Sequence, residues 1–476
     1  MTFTTRSVFL AASTLACGLL LGALVSCGGG GVGSGGTGAE SGVSVGTVNG
    51  FGSVIVDGVR YDDRSAAVVS EVGPGRDAIA EVKLGDRVSV VYQTAGVASV
   101  VRVEASLAGA VDSVTSPAQF AMLGQAVAVN SIGTAGPITQ FGGGYVRASD
   151  LRAGDAVEVH AILVGQGDTA LLQATRVEKL AAVPGYLRVS GLVKNLGTGG
   201  ATTFALGTLT VDAGAASVLP SGSTLANGQS VSVLALPSTL TQAGPGVFRL
   251  QAAQVRIRGL SGGGLDDYLS GSVAQLDTQA RSFTLGSQRV VYAAATVTPA
   301  TMNLANGQYV QVRGMASTDG SLAAASVTIR DAGSESEAEL RGNISGFDAL
   351  TRSFSLRGVR VDASGAVFES CPNSGLADGL FVEVEGSLSS NGVRARKVHC
   401  ADEQPGTTIQ REGVAGSVDL AAKSFSLVPE QGSPQAVTWT DTTFFGEVTA
   451  QTLSGKKVQV EGRLVGAVLV AAKIKR

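Results

Sequence analysis

The sequence predicts an all-β fold assembled from a repeated unit, and three observations carry that expectation. Glycine supplies 66 of the 476 residues, about twice its usual share. The apolar residues are chiefly Val, Leu and Ala, and in the recurring runs they alternate with other residues at a period of two, the periodicity of a strand with one buried face. One pattern of Gly, Val and Phe recurs six times in the same order. Glycine and β-branched residues at this density disfavour helices. Apolar residues make up 44% of the chain and charged ones 15%, which excludes a disordered polyelectrolyte. The formal charge of −3 offers no whole-chain attraction to nucleic acid or an anionic membrane. Two histidines in the whole chain leave little for hydrolase or metal chemistry.

Residues 1–26 have the pattern of a secretory signal: Arg6 at the charged start, then a mostly apolar run from Val8 to Val25. The run ends in Leu24-Val25-Ser26-Cys27 and is followed by Gly28-Gly29-Gly30-Gly31. A Leu, a small residue and then Cys resemble the bacterial lipobox. That resemblance implies cleavage before Cys27, diacylglycerol on its thiol and acylation of the new amine. A spanning anchor or an ordinary signal peptide is the competing reading, disfavoured by Ser26 and the Gly tract. Cys17 is a weaker site, because Thr14 stands where the Leu should be. Gly28, where an Asp would retain a lipoprotein in the inner membrane, implies delivery to the outer membrane. Residues 27–42 read as a Gly/Ser-rich flexible tether.

The six copies are placed at 43–106, 107–183, 188–260, 268–332, 338–402 and 412–476, here repeats 1 to 6. Each opens on Gly-x-Val or a variant, such as Gly271-Val273 and Gly342-Ile344. A Phe-led alternation follows, as at Phe283, Phe354 and Phe425, then a tight turn and a second alternation. Gly-x-x-Val-x-Val comes next, as in Gly379-Val382-Val384, and each copy closes on a signature such as Leu322-Ala324-Val327, Val393-Ala395-Val398 or Leu469-Ala471-Ile474. Gly and Asp/Asn mark the turns between alternations. Five strands in a copy of this length predict a small closed barrel of OB type, because closure removes exposed edges. Short connections between copies predict that neighbours pack into a rod, with contacts between copies adding to modest individual cores.

Lipobox, Gly tract and tandem copies of this motif together resemble a group of bacterial exported proteins built from an OB-like domain of unknown function. The resemblance spans about residues 44–476 and is closest in repeats 4 to 6, where Gly314, Gly386 and Gly462 close the fourth strand. It implies a fold and no activity, so no catalytic residue is carried over.

Cys371 and Cys400 survive processing into an oxidising compartment. A disulfide between them closes a loop of about 30 residues, an effect on the order of 2–4 kcal/mol. A metal site adding His399 is the alternative, a poor ligand set with two members adjacent. Gly259-Leu260-Ser261-Gly262-Gly263 fits the nucleophile-elbow pattern, but lies in a linker without a His partner. Gly50-Phe51-Gly52 opens no helix and so cradles no phosphate. His160, out of phase with Val157 and Val159, reads as a solvated position. The pairs Asp62-Asp63 and Asp266-Asp267 read as turn residues without calcium-loop spacing. Arg60-Tyr61 and Arg289 to Tyr292 are too isolated for a nucleic-acid face.

The expectation is therefore a non-enzymatic binding or structural module. It sits in the bacterial cell envelope as an outer-membrane lipoprotein, held by its N-terminal lipid. It has no cofactor and no metal, an envelope protein or glycan as partner, and no nucleic acid. A surface adhesin or stalk is one alternative. A glycan hydrolase is the other, and it requires two carboxylates about 5–10 Å apart in one groove.

Overall fold

Repeat 5 shows how the local signals become structure. Its first strand, Glu337–Asp348, ends where the Asp348 carboxylate accepts the Leu350 amide at 2.8 Å, a side-chain-capped turn. The hairpin Ser353–Leu356 to Val359–Asp362 turns on Arg357 and Gly358, both at positive φ, as a two-residue hairpin matched to strand twist requires. Phe354, Leu356, Val361, Val382, Val384, Val393 and Val398 point inward and form one apolar cluster. The return strands are Phe381–Ser389 and Gly392–Cys400. At Gly386 the register shifts, and a Cβ there would lie 2.3 Å from the Arg394 carbonyl. Gly314 and Gly462 occupy the same bulge in repeats 4 and 6, with the opposing carbonyl at 2.2 and 2.1 Å. The glycine expected to close the fourth strand lies instead inside a strand that continues past it, at a bulge where a close backbone approach requires it.

These features come from a computed structural model, which describes residues 41–476 except 134–135, 166–169, 198–201, 245, 261–264, 331–336, 373–374, 401–408, 431–432 and 466–467. The expected leader, the lipid site Cys27 and residues 27–40 of the tether lie outside the described residues. So do Ser261, Gly262 and Gly263 of the elbow-like motif. Strands dominate the described chain, and its helical turns are three short 3-10 segments.

The all-β expectation holds, but the expected row of tandem closed OB-like barrels is overturned. The chain is a β-solenoid of stacked coils, and its sheets run from one repeat into others. One 19-stranded sheet joins repeats 1, 4 and 5, and a ten-stranded sheet joins repeats 2 and 3. The first strand, Gly42–Phe51, pairs antiparallel with Arg87–Thr94 of its own repeat. It also pairs in parallel with repeat 4 (Ser44 opposite Tyr268) and repeat 5 (Gly50 opposite Glu339). Leu107–Ser116 of repeat 2 pairs with Leu187–Leu192 of repeat 3. Among the described residues, only repeat 6 keeps its five strands to itself in a closed ring. Alternation in sequence defines strands and hairpins, but an edge can be satisfied equally by its own repeat or by another.

The cores cross repeat boundaries too. Repeats 2 and 3 share one apolar cluster, and Phe51 and Leu84 of repeat 1 lie in the cluster of repeat 5. Nor do the repeats follow one another as a rod in which each meets only its neighbours. The described residues belong to one compact unit, and repeat 1 touches all five other repeats through the polar contacts below.

Candidate functional site

Side chains that alternate away from a coil's own core do not all meet water; around repeat 1 they meet another coil. At the junction with repeat 2, His160 sits opposite Arg176 and Glu158 opposite Glu178 on the paired strands Ala156–Val164 and Leu171–Lys179. Asp86 enters this group from the turn before Arg87–Thr94, its Oδ2 accepting the Lys83 amide at 2.7 Å. The His160 Nε2 lies 3.4 Å from Asp86 Oδ1 and 3.3 Å from Glu158 Oε1, and Nδ1 accepts the Arg87 amide at 3.1 Å. Arg176 donates to the Leu84 carbonyl at 3.0 Å and pairs with Glu178, which also binds Lys83 at 2.8 Å. His160, at 1% exposure, is therefore buried, and the expectation of a solvated position is corrected. The outward face of its strand is the inner face of an inter-repeat junction.

Burial pushes the Asp86 carboxyl above its usual range in spite of His160 and Arg176. Glu158 and Glu178 are half-buried, and their basic neighbours outweigh the desolvation and hold both below the ordinary carboxylate range: His160 for Glu158, Arg176 and Lys83 for Glu178. For His160, burial pulls the pKa down, but the Asp86 and Glu158 carboxylates outweigh it and leave it above its usual value. The Arg87 N–H aimed at Nδ1 directs the Nε2 side of the ring toward the two carboxylates.

Above this cluster opens a cleft of about 560 Å³ between repeats 1, 2 and 6. Val72 and Ile79 of repeat 1 form one wall, Lys423 and Trp439 of repeat 6 another, and Lys83, Glu158 and Glu178 the floor. The cleft gathers carboxylates, but each floor carboxylate is engaged by a base. Asp86, the one acid raised toward protonation, is sealed at 2% exposure.

The other junctions of repeat 1 follow the same design with different residues. Toward repeat 3, buried Glu71 accepts from Gln254 at 2.7 Å and Arg256 at 2.8 Å, and Arg188 donates to its backbone carbonyl at 2.6 Å. Toward repeat 4, Tyr309 donates to Asp57 at 3.0 Å. On the same side, the fully buried Asp267 takes the Val43 amide on Oδ1 at 2.8 Å, while its Oδ2 has no partner. Toward repeat 5, Arg60 pairs with Glu339, which Arg341 also approaches at 3.3 Å. Toward repeat 6, Arg463 donates to the Asp63 carbonyl at 3.0 Å.

Several residues singled out in the sequence acquire places here. The sulfurs of Cys371 and Cys400 are bonded to each other, with Cα atoms 4.7 Å apart. His399 faces Glu369 at 3.8 Å. Tyr61 is buried at the foot of repeat 1 and Arg60 is engaged by Glu339. Asp267 begins a buried strand, which corrects the turn reading for that residue. Among the described residues, no group of three or more His, Cys, Asp or Glu side chains could hold a metal ion. Sequence reasoning missed Asp86, Glu71 and Arg188. Their one signal was charge at an outward strand or turn position, which a solvated face shares.

With this geometry in hand, the chain can be compared with known proteins. The sequence profile of a family described as a domain of unknown function (DUF5666) matches residues 108–178, 270–328, 341–399 and 412–475. These spans cover more than half of the chain. It belongs to the DUF5666 family. The four DUF5666 matches fall in repeats 2, 4, 5 and 6, so the profile passes over repeat 1, the repeat that joins all the others. No curated protein matches the chain.

Proposed function

We propose that this DUF5666 protein is a lipid-anchored component of the bacterial cell envelope. In this reading it is a non-enzymatic module that binds an envelope protein or glycan or serves as structure, held on the outer membrane through acylated Cys27. The observation that carries the non-enzymatic part is the use made of charge at the junction: Glu158 and Glu178 on the cleft floor are each bound by a base and Asp86 is buried beneath them, so they hold coils together. A glycan hydrolase needs one carboxyl kept protonated and open to substrate. Glu158 and Glu178 are held ionised, and Asp86 is closed off. The lipid anchor rests on Leu24-Val25-Ser26-Cys27 and the Gly tract. Two or more acyl chains hold a protein on a bilayer stably.

The test is fractionation of cells that express the full chain or its Cys27→Ser variant, with radiolabelled palmitate. The expected result is label and membrane association for the natural chain and loss of both in the variant. An unlabelled chain, or a variant that stays wholly on the membrane, refutes the anchor. Protease shaving of intact cells then separates a rod-free periplasmic module from a surface adhesin.

A further inference from the structure

Repeats 4 to 6 align at their closing signatures, and the alignment sets repeat 5 apart. At the outward positions of the closing strand, repeat 4 has Ala323, Ala325 and Ser326, and repeat 6 has Val470, Ala472 and Lys473. Repeat 5 has Arg394, Arg396 and Lys397. The strand Val359–Asp362 brings Asp362 beside Arg394 in parallel register, with Arg360 two residues back along the same outward face. Arg360, Arg394 and Arg396 are all exposed. Among the described residues, neither Arg360 nor Arg394 donates a side-chain hydrogen bond or has an ion-pair partner within 4 Å. Arg396 has only the exposed Glu337, at 3.6 Å. Arginines elsewhere at junctions are engaged; these are left open to solvent.

Arg394 and Arg396 line a cleft of about 470 Å³ together with Asp362, Ser364 and Ser387. Ser364 holds Asp362 in place by donating its hydroxyl at 2.7 Å and its amide at 3.0 Å to Oδ1. These hydrogen bonds, and then Arg394 and Arg360, keep the Asp362 carboxyl below its usual range. The strand is pinned at its far end by the Cys371–Cys400 bond. The cleft therefore pairs guanidinium forks, which fit a carboxylate or phosphate in two-point contact, with an ionised acid and hydroxyls that take hydrogen bonds from alcohols. Asp362 beside the arginines disfavours a dianionic phosphate and suits one negative charge set among hydroxyls.

We propose that this cleft binds an acidic saccharide, a uronate-type sugar whose carboxylate meets Arg394 and Arg396 and whose hydroxyls meet Asp362 and Ser387. This deepens the binding-module reading and rests on it for its biological setting. A titration in solution needs no anchor, so its failure leaves the palmitate test untouched.

The experiment is calorimetric titration of the purified full-length chain in detergent with trigalacturonate, and with its methyl ester as a neutral twin. The expected result is saturable binding of the acid and none of the ester. The double variant Arg394→Gln and Arg396→Gln should weaken binding about tenfold or more. Arg289→Gln, at the position in repeat 4 that matches Arg360, should leave it unchanged. Equal binding of the ester, an equal loss in the Arg289→Gln chain, displacement by equimolar inorganic phosphate, or no binding of trigalacturonate overturns the proposal. Because the substituted side chains are exposed, an unchanged far-ultraviolet circular dichroism spectrum separates lost binding from lost folding.

Discussion

Repeats 1 and 6 are built from the same motif and end as opposites. In repeat 6 the strands Ile409–Asp419, Ser424–Val428, Gln435–Gly446, Lys457–Val465 and Val468–Lys475 close on one another. Its Lys457, paired with Glu412 and Glu430, is more than half exposed. In repeat 1 the leading strand gives its edge to repeats 4 and 5 as well as to its own coil, Phe51 and Leu84 enter a neighbour's core, and Glu71 and Asp86 are buried against other repeats. One repeat satisfies itself and the other is completed by its surroundings. The difference teaches that a shared strand pattern does not set a shared degree of independence, which depends on where the outward residues end up.

The largest expected effect breaks the comparison directly. Residues 409–476 made alone should fold, giving a β-type circular dichroism spectrum and a cooperative thermal transition. Residues 41–106 made alone should give neither. A cooperative transition in the repeat 1 fragment would remove the contrast.

Within the full chain, Glu71→Ala leaves Arg188 buried without its carboxylate and should cost about 3 kcal/mol, measured by urea unfolding. The exposed counterpart in repeat 6, Lys457→Ala, should leave the urea midpoint unchanged. A comparable loss at both sites would mean that burial at the junction is not what matters.

A smaller effect sharpens the comparison by pH. Burial pushes the Asp267 carboxyl up to about 6, above the roughly 3.9 of an unfolded aspartate. The folded state thus prefers the protonated form. The stability this contributes is complete below about pH 4 and is lost as pH rises through 6. Asp266, just before the strand, and Tyr268 on it flank Asp267, and Tyr92 and Arg313 face that segment from the neighbouring strands. Raising the pH from 4.5 to 7.5 should lower the Tm of the natural chain by about 2 °C more than that of Asp267→Asn. Equal shifts in the two proteins would exclude Asp267 as the titrating group.

Much of the local structure was legible because its causes are local. Phe354 and Val361 alternate inward, Asp348 caps a turn through its own following amides, and Arg357-Gly358 makes a two-residue hairpin. Gly314, Gly386 and Gly462 stood out in sequence, and the structure supplies their reason in the carbonyl that passes close by. The candidate site was far less legible. His160 was read as solvated because its phase is outward, and that phase is correct; what sequence lacks is the coil that covers it, bringing Asp86 and the Arg87 amide from 73 or more residues away.

The sequence by itself determined the all-β class, its hairpin turns and a repeated unit, since each depends on contacts within a few residues or on a periodicity of two. Tertiary structure alone decided which edges close on themselves and which continue into another coil, and which outward charges are buried. It also left Arg360, Arg394 and Arg396 of repeat 5 open to solvent. The physical reason is that a strand edge or an outward charge presents the same chemistry whether water or a distant repeat answers it.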